Sequence, residues 1–265
     1  MVVHAGNRVD VVSQNIRKHG KWEGFESADQ FTGALPQQRG QSPRTAIDIG
    51  ANIGYYSILF AAAGYNVIAV EPMALNRAAL NATLCLNHGL QQRVKLASSA
   101  LISPKEQEMK CHVRGREPNI GNGVMVCNGL CGSNASENSP KGIGKQKGGA
   151  RGLCYNVNMQ TLDSILSELR PPRIDAVKMD IEGHECSALE GGRSLFEQYR
   201  PRFMRFETAW LEGASTNNTC VHRLASQYGY ETVTTGGDTI LRRPWSWSWS
   251  WGWGWGWGSG KRWLG

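Results

Sequence analysis

The stretch AIDIGANIG, residues 46–54, limits the fold of this chain more than any other feature. It is an apolar run ending on an acid, followed by two glycines with three residues between them, and it leads at once into YYSILFAAAG. The glycines punctuate it as a strand, a tight loop and a helix stopped at Gly64, after which NVIAVE supplies a second strand ending on Glu71. The unit is β-α-β. Strands that are apolar without alternation are buried on both faces, which calls for a parallel sheet between helix layers.

The pattern continues downstream. Residues 74 to about 87 have helical periodicity with Gly89 as the expected stop, and VKLASSAL follows as a short strand. Strand-like pieces lie around EMKCHV and GVMVC, and TLDSILSEL reads as a helix with Thr161 as its N-cap, ended by Pro171 and Pro172. Strand IDAVKMDIE, a helix through about Tyr199, strand RFMRFETA and a helix near residues 218–228 come next. YETVT and DTILRR then form an antiparallel hairpin across Gly236 and Gly237.

This divides the chain into an N-terminal extension (1–42), a main domain (43–243) and a tail (244–265). Within the domain, residues 128–152 shift to Gly, Ser, Asn and Lys, a composition that cannot bury enough apolar surface to order itself, so a flexible insertion is expected. Of the ten tryptophans, seven recur in a two-residue period over residues 245–257 of the tail, which marks a low-complexity extension. An aromatic stripe for a carbohydrate or another partner is its alternative reading.

Bulk properties exclude several classes. The 29 basic and 22 acidic residues are scattered, with no basic stripe interleaved with aromatics, which argues against nucleic acid as a partner. Residues 49–70 are uncharged over a membrane-spanning length, but Gly50, Asn52, Gly54, Gly64 and Asn66 interrupt them, so no membrane span is expected. Charges near the N-terminus break any signal-peptide core, leaving the cytoplasm as the default location. Seven dispersed cysteines suggest neither a disulfide framework nor a zinc site, and even the Cys127/Cys131 pair is expected to be reduced thiols. The Asn-x-Ser/Thr triplets at Asn81, Asn134 and Asn217 read as chance matches without an export signal.

Strand, glycine loop, helix, strand and acid are the layout of a nucleotide-type cofactor site at the carboxyl edge of a parallel sheet. Gly50 and Gly54 permit close backbone approach, and Glu71 is placed to accept hydrogen bonds from two ribose hydroxyls. The structural alternative is a tight turn with an incidental strand-end acid. A nicotinamide-dependent oxidoreductase would need a G-x-G-x-x-G loop for the pyrophosphate, and this loop lacks it. Asp48, just before the loop, would repel a pyrophosphate and suits a sulfonium cofactor with an ammonium group. A binding module that keeps the cofactor without turnover is the non-enzyme alternative.

The stretches AIDIGANIGYYSILFAAAGYNVIAVEP, LNATLCLN, VKLASSAL, NIGNG, QTLDSIL and IDAVKMDIEGHECSALEGG, in this order over about residues 44–210, resemble the FkbM-type S-adenosylmethionine-dependent methyltransferases. The resemblance implies an α/β, Rossmann-like class I methyltransferase fold: a mostly parallel seven-stranded sheet with helices on both faces. It implies S-adenosylmethionine over the ends of the first strands, with Asp48, Gly50, Ala51, Asn52 and Gly54 along its methionine and ribose end and Glu71 on the ribose. Ser98 and Ser99 fall where family members often carry an acid or amide near the adenine. The expected reaction is methylation of an oxygen on a sugar or other small-molecule acceptor.

Asp180, Glu182 and His184 offer candidate bases within one turn after strand IDAVKM, and Glu207 closes the next strand. Transfer to a hydroxyl needs a base within hydrogen-bond reach, and alignment supplies much of the remaining rate. Asp180 has three conceivable roles: orienting the acceptor, taking its proton or holding the methionine ammonium. Asp180 and Glu182 have a structural alternative as caps of the next helix or partners of Lys178. The Asp, Glu and His spacing is not a closed ligand set and a hard cation prefers more oxygens, so no metal is expected.

Overall fold

A computed structural model of the chain describes residues 1–4, 10–33, 35, 42–115, 119, 121–128 and 154–244. The expected insertion, apart from Asn128, and the tail beyond Pro244 lie outside the described residues.

Two short helices come first, α1 (Val11–His19) and α2 (Ala28–Thr32). The alternating part follows with β1 (Thr45–Ile49), α3 (Tyr55–Ala62), β2 (Asn66–Val70), α4 (Ala74–Leu86), α5 (His88–Gln91) and β3 (Val94–Ala97). After β4 (Ser99–Leu101), β5 (Cys111–Gly115), β6 (Gly123–Cys127), β7 (Cys154–Asn156) and β8 (Asn158–Gln160), the chain returns through α6 (Leu162–Leu169), β9 (Ala176–Met179) and α7 (Glu185–Glu190). It finishes with β10 (Phe203–Glu207), α8 (Cys220–Tyr228), β11 (Glu231–Thr235) and β12 (Asp238–Arg242).

Seven strands form the main sheet in the order β11-β12-β10-β9-β1-β2-β3. β12 runs antiparallel to both of its neighbours, and the remaining pairings are parallel. Strand order reverses at β1: the chain steps outward through β2 and β3 on one side, then returns to place β9 and β10 on the other. A crevice therefore opens beyond the carboxyl ends of β1 and β9, where ligands bind in sheets of this kind.

β1 is buried along its whole length, and its residues serve two cores in alternation. Ile47 and Ile49 pack with Leu162, Ile165, Leu189 and Phe196. Ala46 faces the other layer with Phe60, Tyr56 and Phe203, which also holds Ala28 and Phe31 of α2. The extension before residue 43 thus contributes to the core: the Phe31 ring lies 5.4 Å from that of Phe203 and 4.8 Å from that of Tyr56.

Local expectations fail where a long-range contact intervenes. VKLASSAL is not one strand, because β4 leaves the main sheet after Ser98 and pairs with β8, where Ser99 Oγ donates to Gln160 Oε1 at 2.6 Å. α4 ends at Leu86, about where expected, but for a local reason: its cap is Asn87, whose side chain donates to Thr83 O at 2.8 Å, and Gly89 lies within α5. The helix expected through Tyr199 breaks after α7 at Gly191, where a Cβ would lie 2.3 Å from Ile102 O.

The expectation of reduced thiols is overturned. Cys111 pairs with Cys127 and Cys186 with Cys220, Cys154 is also disulfide-bonded, and Cys85 is the free cysteine among the described residues. The cause is register: β5 and β6 place Cys111 directly opposite Cys127, a neighbourhood invisible in linear spacing. No helix among the described residues is long and apolar enough to cross a membrane. The Cys186–Cys220 bridge closes a separation of 34 residues, so Cys186→Ser combined with Cys220→Ser is expected to cost about 2–4 kcal/mol. Urea unfolding of the double variant checks this; an unchanged midpoint would show that the bridge adds no stability.

Candidate active site

A cleft of about 260 Å³ lies over the carboxyl ends of β1, β2, β9 and β10. Its walls include Gly50, Ala51 and Asn52 after β1, Glu71 after β2, Asp180, Glu182 and His184 after β9, and Glu207 at the end of β10. The elements responsible are adjacent parallel strands, which bring four separate stretches of sequence to one rim.

The glycine loop is shaped by close approach. Gly50 has φ +74°, and a Cβ on it would lie 1.8 Å from Asp180 O, so this position admits only glycine. Asn52, also left-handed at φ +53°, donates its backbone N–H to Glu71 Oε2 at 2.8 Å and its side-chain amide to Gly121 O at 3.0 Å. Glu71 Oε1 accepts from Met73 N at 2.8 Å and from the Asn76 amide at 3.3 Å. Burial pushes the Glu71 carboxyl up, and these donors oppose the shift. With two lone pairs per oxygen, Oε1 is filled by Met73 N and the Asn76 amide, and Oε2 keeps one site for a ligand donor beside Asn52 N. Gly54 lies behind the cleft as the N-cap of α3, packed on Leu80. Ser99 lines the cleft, and Ser98 is not among its walls.

Asp48 does not face the ligand space, contrary to the expectation from the loop's charge. Its side chain is buried beneath the loop, where Oδ2 accepts from Ser57 Oγ at 2.6 Å and Oδ1 lies 3.8 Å from Lys178 Nζ. Burial raises its pKa, opposed by Lys178 and Ser57. Lys178 donates to Gly50 O at 2.9 Å and lies 3.4 Å from Asp180 Oδ2. Burial would lower its pKa, but Asp180 and Asp48 hold it above the ordinary value, so the ammonium persists. The acid before the loop therefore answers an internal cation that also fastens the loop's carbonyl. The available signal was a lysine inside an otherwise apolar strand.

At the far rim, oxygens of Asp180, Glu182 and Glu207 lie within 4.8 Å of one another. The sequence spacing did not show this set, because Glu207 joins it through the β9–β10 pairing. These are donors of the kind a hard cation takes, although Lys178 already pairs with Asp180. Burial first, then Asp180 and Glu182, pushes Glu207 up to about 8. Its Oε1 accepts from Trp210 Nε1 at 3.3 Å, and its Oε2 is buried beside Asp180 with no geometrically good hydrogen bond among the described residues. His184 Nε2 lies 3.4 Å from Glu106 Oε1, and burial pulls its pKa down despite that neighbour. Glu185, not anticipated, accepts from Ile181 N at 2.9 Å and braces the turn; burial raises it to about 7.

A family model described as the methyltransferase FkbM domain matches residues 48–231. No curated protein matches. Among solved structures, a methyltransferase FkbM from Methylobacillus flagellatus KT is 14% identical, with 76% of this chain and 43% of that one covered and a TM-score of 0.46. The N-terminal domain of human METTL16 in complex with SAH is 13% identical over 81% of this chain and 66% of that one, with a TM-score of 0.41. Precorrin-6Y C5,15-methyltransferase from Geobacter metallireducens GS-15 is 10% identical over 78% and 83%, with a TM-score of 0.40. The chain thus spans less than half of the Methylobacillus protein.

Proposed function

The chain belongs to the FkbM methyltransferase family, and from that premise we propose that it methylates a hydroxyl of a sugar or other small molecule with S-adenosylmethionine as donor. When bound, the cofactor supplies an electrophilic methyl group on a cationic sulfur. Glu71 and the Gly50–Asn52 backbone fit its ribose and methionine end: a buried carboxylate with one lone pair open on Oε2 stands beside a turn that only glycine permits. Ser99 stands further along the same wall.

The observation that carries transfer to oxygen is the carboxyl pair Asp180 and Glu207 on the rim of the cleft that holds Glu71. A base works best with a pKa near the operating pH, and Glu207, at about 8, meets that condition. Asp180, paired with Lys178, orients an acceptor hydroxyl, and Glu207 takes the proton that the hydroxyl sheds. Lys178 keeps the glycine loop and the Asp180 turn in one register. Bringing these groups and the acceptor into alignment supplies a large part of the rate.

Calorimetry with S-adenosylhomocysteine and with NAD tests the cofactor, the expected result being binding of the first and none of the second. Acceptor-dependent formation of S-adenosylhomocysteine across a panel of hydroxylated compounds tests turnover. Binding without turnover on any hydroxyl, alongside turnover on an amine or thiol, would overturn the assignment to oxygen.

A further inference from the structure

We infer that the N-terminal segment, residues 10–32, forms the acceptor side of the cleft, and that Trp22 and Glu23 select a neutral, hydroxyl-rich acceptor of the sugar type. The inference rests on the methyl-transfer reading and names its acceptor class. The segment precedes the stretch matched to the family, yet Val11, Val12, Trp22 and Glu23 line the cleft. It is also fastened in place. Tyr55 donates its hydroxyl to Phe25 O, Tyr56 donates to Glu23 Oε2 at 2.6 Å, and Arg205 Nη2 lies 3.6 Å from the same oxygen. Val11 N donates to Asn119 Oδ1 at 3.3 Å, which ties the segment to the loop opposite.

The backbone at Glu23 is held where a side chain is rarely tolerated. Its φ is +49° and Gly24 follows at +80°. Asn52 and Glu182, two further non-glycine residues in the left-handed region, also line the cleft. Strain of this kind, on the order of 1–3 kcal/mol per residue, persists where the surroundings enforce it and collects at functional sites. The Glu23 side chain keeps 35% of its exposure, so its carboxylate opens toward the cleft although one oxygen is engaged.

Charge decides the acceptor's chemistry. Glu23 and Asp180 line this side, and the cleft's lysine is already engaged by Gly50 O, Asp180 and Asp48. His184 faces Glu106, and burial lowers its pKa. Phosphate or carboxylate on the acceptor would meet like charge without a free cation among the lining residues described. Hydroxyl groups donate to carboxylates, and the half-buried Trp22 indole offers a flat apolar surface to the C–H face of a saturated ring.

The test is saturation-transfer NMR on the full chain loaded with S-adenosylhomocysteine, using methyl glucoside, methyl mannoside, methyl fucoside, catechol and glucose 6-phosphate as probes. At least one glycoside should receive saturation and the other two classes none. Trp22→Ala and Glu23→Gln should each reduce that signal at least fivefold, Trp22→Phe should restore it, and calorimetric affinity for S-adenosylhomocysteine should stay within about twofold, which also shows that the variants fold. A glycoside signal that persists in Trp22→Ala and Glu23→Gln, or transfer to catechol or the sugar phosphate in its place, would overturn the inference. Wild-type protein that binds no S-adenosylhomocysteine would overturn the methyl-transfer reading instead.

Discussion

Glu71→Ala is expected to weaken S-adenosylhomocysteine binding by roughly tenfold to several hundredfold in a protein that still folds. Hydrogen bonds to a charged group contribute about 1.5–3 kcal/mol, and a ribose hydroxyl can donate one to the site still open on Oε2. The structure adds an indirect route to the same loss. Glu71 holds Asn52 N and Met73 N, so its removal leaves two backbone donors without their acceptor and loosens the loop that approaches the ligand, while the Asn76 amide keeps Gly121 O. Glu71→Gln separates the two contributions. It keeps one carbonyl acceptor and the shape, so it should preserve the melting temperature better than Ala while still losing most of the affinity. Isothermal titration paired with thermal melts checks both variants, and unchanged affinity in Glu71→Ala would remove Glu71 from the cofactor site.

What was legible in the sequence is what local physics controls. The β1-α3-β2 unit follows from glycine punctuation and unbroken apolar runs, Thr161 caps α6 through Ser164 N as read, and the hairpin turns at Gly236 and Gly237. The partners of charged and sulfur-bearing side chains were not legible, because strand order and register choose them. Asp48 reads as an exposed acid beside a loop until β9 is laid against β1, with Lys178 directly opposite Asp48. The Cys111–Cys127 bridge depends on the same kind of pairing between β5 and β6. The acceptor wall was hidden for another reason. α1 and α2 span nine and five residues, too short for a persuasive periodic stripe, and Phe31 gains its meaning only from the Tyr56 and Phe203 rings around it.

Asp180→Asn is expected to lower turnover by about 10²–10⁴ while leaving S-adenosylhomocysteine affinity nearly intact, because it removes charge without changing shape at the rim proposed to receive the acceptor. The pH profile separates a role in the reaction from a role in the fold. Turnover in the wild type should rise with pH as Glu207 loses its proton near 8, and Glu207→Gln should flatten that rise. Asp180 helps to hold Glu207 up, so Asp180→Asn should move the inflection to lower pH as well as reduce the plateau. Stability carries the opposite sign. A carboxyl whose pKa is 4.5 in its ordinary state and about 8 when folded keeps a proton that the unfolded chain has released, so its contribution to stability is lost as pH rises across that window. Glu207→Gln should therefore narrow the difference in melting temperature between pH 6 and pH 9 as measured by calorimetry, a change that owes nothing to the acceptor. Two results would reassign Asp180. If affinity for the cofactor falls before turnover does, its carboxylate holds the methionine ammonium. If turnover and inflection both stay at wild-type values, the residue serves the Lys178 pair alone, and proton removal passes to Glu182, to His184 or to Glu207 acting without it.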